Sequence, residues 1–209
     1  MLVALLKARG AHGLTTSETE LAHSAITESN NESILALFGD LEQLKGGLDG
    51  ASRYVQELFR DSGDRETVVT TAPPPAGAAT TFGQTEWRPS AAVKFFRALA
   101  LGCLLTHAQT SYVLGLMQHI VASESWGLGS AGFSSVAFKG GWGPEPSGDY
   151  LVRQSGVIDV GSTSGVAVSI VAFPSSGSFS TGTEMLTETA SWLRRELRLV
   201  PRSPAGCSG

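Results

Sequence analysis

The chain is 209 residues long, 42% hydrophobic and only 16% charged, with 25 glycines, whereas soluble domains average about 25% charged residues. That apolar, charge-poor profile excludes an intrinsically disordered chain. Fifteen Lys plus Arg against nineteen Asp plus Glu give a net charge of -4, and no basic run exceeds Arg194-Arg195, so nucleic-acid binding has no electrostatic footprint.

Leu2 to Arg9 is apolar at nearly every position and ends in Lys7, Arg9 and Gly10, the pattern of the closing turns of a buried helix stopped by glycine. Amino termini are ordinarily polar and frayed, so further sequence is expected upstream. No window approaches the run of about 18 apolar residues that a membrane span needs, and Met1 to Lys7 is too short for a signal peptide. Neither a span nor an export signal is expected within these residues. Cys103, among leucines, reads as a core residue, and with Cys207 near the end the pair is too sparse for a disulfide-stapled scaffold. The redox compartment stays open on that evidence.

Thr15 with Glu18 forms a capping-box pattern ahead of a helix from about Ser17 to Thr27. Ser29-Asn30-Asn31-Glu32 breaks it, because short polar side chains compete for backbone hydrogen bonds, and Ile34 onward starts another helix. Ala51 to Arg60 is amphipathic at the helical period, and Thr70 to Gly83, with Pro73-Pro74-Pro75, is an irregular surface loop. A long helical region runs from Trp87-Arg88-Pro89-Ser90 through Leu105, and another spans Tyr112 to Val121. Strands are expected at Ser134 to Lys139, Tyr150 to Asp159 and Gly165 to Phe173, joined by short loops as an antiparallel meander. Thr183 to Leu199 is a helix with Met185, Leu186, Ala190, Leu193 and Leu197 on one stripe. Its arginines, Arg198 included, sit near the carboxyl end as the dipole favours. The order implies an α+β, αβα-layered domain over residues 1–199 and a disordered tail over 200–209.

Two triplets carry chemistry when taken together: Ser29-Asn30-Asn31 at a helix break and Lys139-Gly140-Gly141, followed by Trp142, at a strand end. They resemble the S-D-N and K-T-G motifs of the penicillin-recognising serine hydrolases, the superfamily of class A β-lactamases and D-alanyl-D-alanine peptidases. Asn30 stands where the family has Asp, and Gly140 where it has Thr. The strand meander and the terminal helix with Ser191-Trp192-Leu193 extend the resemblance from Met1 to about Leu199. Taken singly, the first triplet reads as a helix cap and the second as a glycine turn.

The resemblance implies a β-lactamase/transpeptidase-like fold and an acyl-enzyme chemistry with no metal and no organic cofactor. The substrate would be a small molecule or peptide, a β-lactam or a cell-wall peptide of the D-Ala-D-Ala type, and the family's exported location would apply. In that scheme Ser29 passes a proton to the departing ring nitrogen, Asn31 holds the substrate's side-chain carbonyl, and Lys139 favours its carboxylate. The Trp142 N–H serves as an oxyanion donor, and Gly140 and Gly141 let the ligand approach the strand edge.

The departures matter equally. The lysines Lys7, Lys45, Lys94 and Lys139 are preceded three positions earlier by Ala4, Glu42, Ala91 and Val136, so no S-x-x-K exists in these residues. The family's nucleophile is therefore expected upstream of Met1, along with the first strands, and the chain as it stands is expected to be inactive. The loop at 70–83 also lacks the E-x-x-L-N pattern of class A enzymes, and Glu86, the nearest acid, reads as a helix cap. Loss of the first strands would leave the last strand with an unpaired apolar edge. The alternative from a different class is a noncatalytic ligand-binding or interaction protein that reuses the fold. His12, His23, His107 and His119 show no metal spacing, and the tryptophans read as packing groups, with only Trp142 placed to meet a ligand.

Overall fold

The first helix, α1 (Leu2–Arg9), has its run from Leu2 to Leu6 buried, which is why its sequence shows no polar face. It packs among α2 (Thr16–Thr27), α3 (Asn31–Lys45), α4 (Leu48–Asp61) and α6 (His107–Gln118) as the centre of the main core, with Leu37, Leu41, Leu58 and Leu99 around it. The computed structural model describes residues 1–74, 76, 78, 80–144, 150–162, 165–197 and 206–207. The helix α5 (Pro89–Ala100) precedes α6, the strands β1 (Val136–Pro144), β2 (Tyr150–Ile158) and β3 (Val166–Ala172) follow it, and α7 (Phe179–Glu196) comes last.

Local signals set most boundaries. Thr15 accepts from the Glu18 N–H at 3.1 Å while the Glu18 carboxylate accepts from the Thr15 N–H at 2.7 Å, so the capping box opens α2 as expected. A second box, Thr106 with Gln109, opens α6. The helix expected to run on to Leu105 stops at Ala100, because Gly102 takes φ 72°, a left-handed turn that glycine adopts without strain. Glu86 does not cap α5; the capping position belongs to Arg88, which makes no side-chain cap bond, and Pro89 starts the helix. The Lys-Gly-Gly-Trp run lies inside β1 rather than at its end.

The sheet is antiparallel with order β1-β2-β3. One face is covered by α7, where Val152 and Ala172 meet Leu186, and Ile158 and Val168 meet Ala190. The other face joins the helical core through Ala137, Val157 and Ala167. The layers are therefore αβα, as the element order implied. Met185, expected on the buried stripe of α7, is exposed. Gly182 instead brings that helix onto Val152.

The Asp159 N–H donates to the Ser135 carbonyl at 2.9 Å, which fixes the phase of the ladder in the observed register. Odd-numbered residues of β1 turn their backbone groups to β2, and even-numbered ones turn them to the outer edge. By the same phase, residues 167, 169 and 171 of β3 face the opposite edge, which no described strand covers. Cys103 and Cys207 form a disulfide, so Cys103 is a bridging residue and not a packed thiol. The last residues expected in the terminal helix, Arg198 and Leu199, most of the expected tail and Pro75 lie outside the described residues. Among the described residues no helix is long and apolar enough to cross a membrane.

Candidate active site

The break between α2 and α3 is built by division of labour. Asn30 caps α3, its side-chain oxygen accepting from the Ser33 N–H at 2.8 Å. Asn31 begins the helix with an exposed side chain. Ser29 takes φ 52°, a left-handed backbone that a serine rarely adopts. The cap reading of the triplet thus holds for Asn30 and leaves Ser29 free for another contact.

That contact is Lys139. Its ammonium donates to the Ser29 hydroxyl and to the Gly140 carbonyl at 3.0 Å. Ser29 in turn donates to the carboxylate of Glu124, which lies 3.9 Å from the Lys139 nitrogen. Glu124 comes from a short turn, Ala122–Glu124, between α6 and the sheet. It was not singled out from the sequence, where a lone acid between two serines carries no period or spacing. Burial pulls the Lys139 amine down from 10.5 to about 8, and the neighbouring Glu124 carboxylate opposes the shift.

The Gly140 carbonyl meeting Lys139 shows that even-numbered residues of β1 do face the open edge, in agreement with the ladder phase. The Trp142 N–H shares that edge by the period of 2. The Trp142 ring has its centroid 5.9 Å from the Lys139 nitrogen and packs against Trp126 at 6.0 Å and Phe179 at 5.2 Å between centroids. Trp142 and Phe179 are 39% and 36% exposed, so three aromatic rings border the strand.

The two glycines differ in their surroundings. A Cβ on Gly140 would come within 3.1 Å of the Trp126 ring, and one on Gly141 would lie 3.6 Å from the Arg153 stem. On the sheet face toward α7, the space beside Gly140 is taken by the Trp126 ring. Trp126 is itself held by Gln154, fully buried on β2. The Gln154 amide donates to the Trp126 carbonyl at 2.8 Å, and its oxygen accepts from the Leu128 N–H at 2.7 Å.

Ser29, Lys139 and Glu124 are thus brought together, with Asn31 one helical step away and the Trp142 N–H on the adjoining edge. Two surface hollows lie elsewhere: one of 280 Å³ beside the Cys103–Cys207 disulfide, and one of 640 Å³ lined by Asp64, Glu86, Arg88 and neighbours. No cluster of His, Cys, Asp or Glu among the described residues is suited to a metal ion.

No protein-family model and no curated protein matches the sequence. Solved structures do. A class A β-lactamase from Bacteroides cellulosilyticus superposes with a TM-score of 0.66 at 16% identity, over 87% of this chain and 64% of the other. The chromosome-encoded β-lactamase of Vibrio parahaemolyticus gives 0.69 at 15% identity, over 95% and 82%. A variant of the class A β-lactamase of the last common ancestor of Gram-negative bacteria gives 0.68 at 17%, over 94% and 81%. This chain spans less than two thirds of the Bacteroides protein. With its helical core, its three-stranded antiparallel sheet and its terminal helix, the chain has a class A β-lactamase-like fold.

Proposed function

We propose that Ser29, Asn31 and Lys139 form one wall of a cleft for carboxylate-bearing acyl compounds, β-lactams or peptides of the D-Ala-D-Ala type. These 209 residues do not turn such compounds over, because they hold no S-x-x-K. The observation that carries the reading is the convergence of the Lys139 ammonium on Ser29 across 110 residues of sequence, within a β-lactamase-like fold. A half-buried ammonium beside a strand edge attracts a carboxylate, and the outward Trp142 N–H offers a donor for an acyl oxygen. Asn31, exposed at the first turn of α3, is positioned to meet an amide.

A second reading, a noncatalytic binding protein, draws on the exposed Trp142 and Phe179 rings beside Lys139. Aromatic faces next to a cation suit a ligand with a ring and an acid group. Binding without chemistry is common to both readings for this chain.

The test is a titration with a fluorescent penicillin followed by anisotropy, with intact-mass spectrometry of the same samples. Saturable binding without a mass increase, weakened at least tenfold by Lys139→Met, is expected. Absence of saturable binding, or binding indifferent to Lys139→Met, rules the cleft reading out. Steady hydrolysis of the penicillin rules out the inactivity of the chain.

A further inference from the structure

We infer that Ser29 is itself an acyl acceptor, with Lys139 as its base and Glu124 as the group that steadies the resulting ammonium, and that its substrates are uncharged, activated esters. The proposal rests on reading the cleft as an acyl-transfer site and goes beyond it. There Ser29 only lines the binding wall; here it forms the covalent bond.

Nucleophilic serine catalysis needs a base within hydrogen-bond reach of the hydroxyl and a third group to orient that base. Both conditions are met. Lys139 touches the Ser29 oxygen directly, and Glu124 touches Ser29 while standing 3.9 Å from the Lys139 nitrogen. The left-handed backbone at Ser29 holds its oxygen toward β1 instead of letting it cap α3, a task Asn30 performs. In the ammonium form Lys139 donates to Ser29 and blunts it. Once that proton is lost, the nitrogen lone pair faces the same oxygen, and an amine that titrates near 8 is available as a base at mildly alkaline pH.

The step balances without a co-reactant. The Ser29 hydroxyl turns its proton from Glu124 to the neutral Lys139 amine, its oxygen bonds to the acyl carbon, and that proton passes to the amine. The carbonyl oxygen, briefly negative, lies toward the outward Trp142 N–H. The tetrahedral adduct then collapses, breaking the bond to the leaving alkoxide or phenolate, which carries away the electron pair and takes a proton from Lys139 or solvent. A carboxylate-bearing ligand would keep Lys139 protonated by pairing with it, which is why the substrate class is uncharged.

The experiment is incubation with p-nitrophenyl acetate, following nitrophenolate release and mapping the adduct by peptide mass spectrometry. A burst of one equivalent per chain is expected, with the acetyl group on the Ser29 peptide and a rate that climbs through pH 8. The facing charged groups, Lys139 and Glu124, set that profile. Ser29→Gly suits the left-handed backbone, so it retains the fold by circular dichroism, and it should abolish the burst. Lys139→Met should slow it by about a hundredfold and flatten the pH profile. Label on another residue, an undiminished burst in Ser29→Gly, or no burst in the parent chain would each overturn the proposal. Because the ester carries no carboxylate, acylation can fail while penicillin binding stands, or succeed while it fails.

Discussion

The side chain of Lys139 on β1 and the hydroxyl of Ser29 ahead of α3 share a hydrogen bond although 110 residues separate them. That single contact joins the sheet to the helical part at the open edge of β1. Its partner Glu124, 95 residues from Ser29 in sequence, closes a three-member chain in which the ammonium donates to the hydroxyl and the hydroxyl to the carboxylate.

Burial of Lys139 gives stability a definite dependence on pH. Its amine titrates near 8 in the folded chain against 10.5 in the unfolded one, so between those values the unfolded state binds more protons and stability rises with pH. Below pH 8 the full penalty of the buried ammonium applies. Urea melts of the parent and of Lys139→Met should therefore diverge between pH 8 and 10.5, with the parent gaining on the variant. Parallel curves would place the amine in water.

Enlarging Gly140 to threonine should be harmful here. In Gly140→Thr the new Cβ meets the Trp126 ring at 3.1 Å, and overpacking of that kind destabilises by about 1–3 kcal/mol. Trp126→Leu in the same chain should relieve much of that loss, so a double-mutant cycle read by urea denaturation should show coupling between the two sites. Additive effects would mean that the ring moves aside freely.

Gln154→Leu removes the partner of two buried backbone groups, the Trp126 carbonyl and the Leu128 N–H. Each orphaned group is worth about 1–3 kcal/mol, so a loss of about 2–6 kcal/mol is expected in urea. Tryptophan fluorescence should shift as Trp126 loosens. A near-neutral result would mean that water reaches both groups.

The capping box of Thr15 and Glu18 and the cap at Asn30 were legible because their partners lie three residues apart, within one turn. The strands and their antiparallel order were legible from apolar runs between turn residues, and α1 from its unbroken apolar run. Glu124, Trp126 and Gln154 were not, since each acts across the fold on residues that no local period connects. Gly140 shows the same limit: nothing in the sequence reports that the Trp126 ring lies against it. Cys103 reads as core because its neighbours are leucines, and nothing in the sequence reports that Cys207 returns to it. Ser29 and Lys139 were found by pattern, and their hydrogen bond is a fact of the fold alone.

The edge of β3 that no described strand covers should drive association. Val166–Ala172 carries no charged residue, and residues 167, 169 and 171 turn their backbone groups away from β2. Such edges template pairing with another chain. Light scattering after size exclusion should show concentration-dependent oligomers. Val171→Pro, which removes an outward N–H without breaking the ladder to β2, should reduce them. A monomer at every concentration would show the edge to be covered.

Cys103 and Cys207 stand 104 residues apart, and closing so long a loop stabilises by about 2–5 kcal/mol in the chain-entropy account. Cys207→Ser should lower the melting temperature, and a reducing agent should lower that of the parent by a similar amount while leaving the variant unchanged. Equal melting of parent and variant under oxidising conditions would mean that the bridge adds nothing.

The same bridge makes the carboxyl-terminal half a covalent ring that holds all of β1, β2, β3 and α7. A single backbone cut anywhere between Leu104 and Gly206 opens this ring without releasing a fragment. After a nick ahead of Lys139, the strand that carries it and the helical part that carries Ser29 would remain one molecule through the bridge, and reduction of the sulfurs would remove their last covalent link.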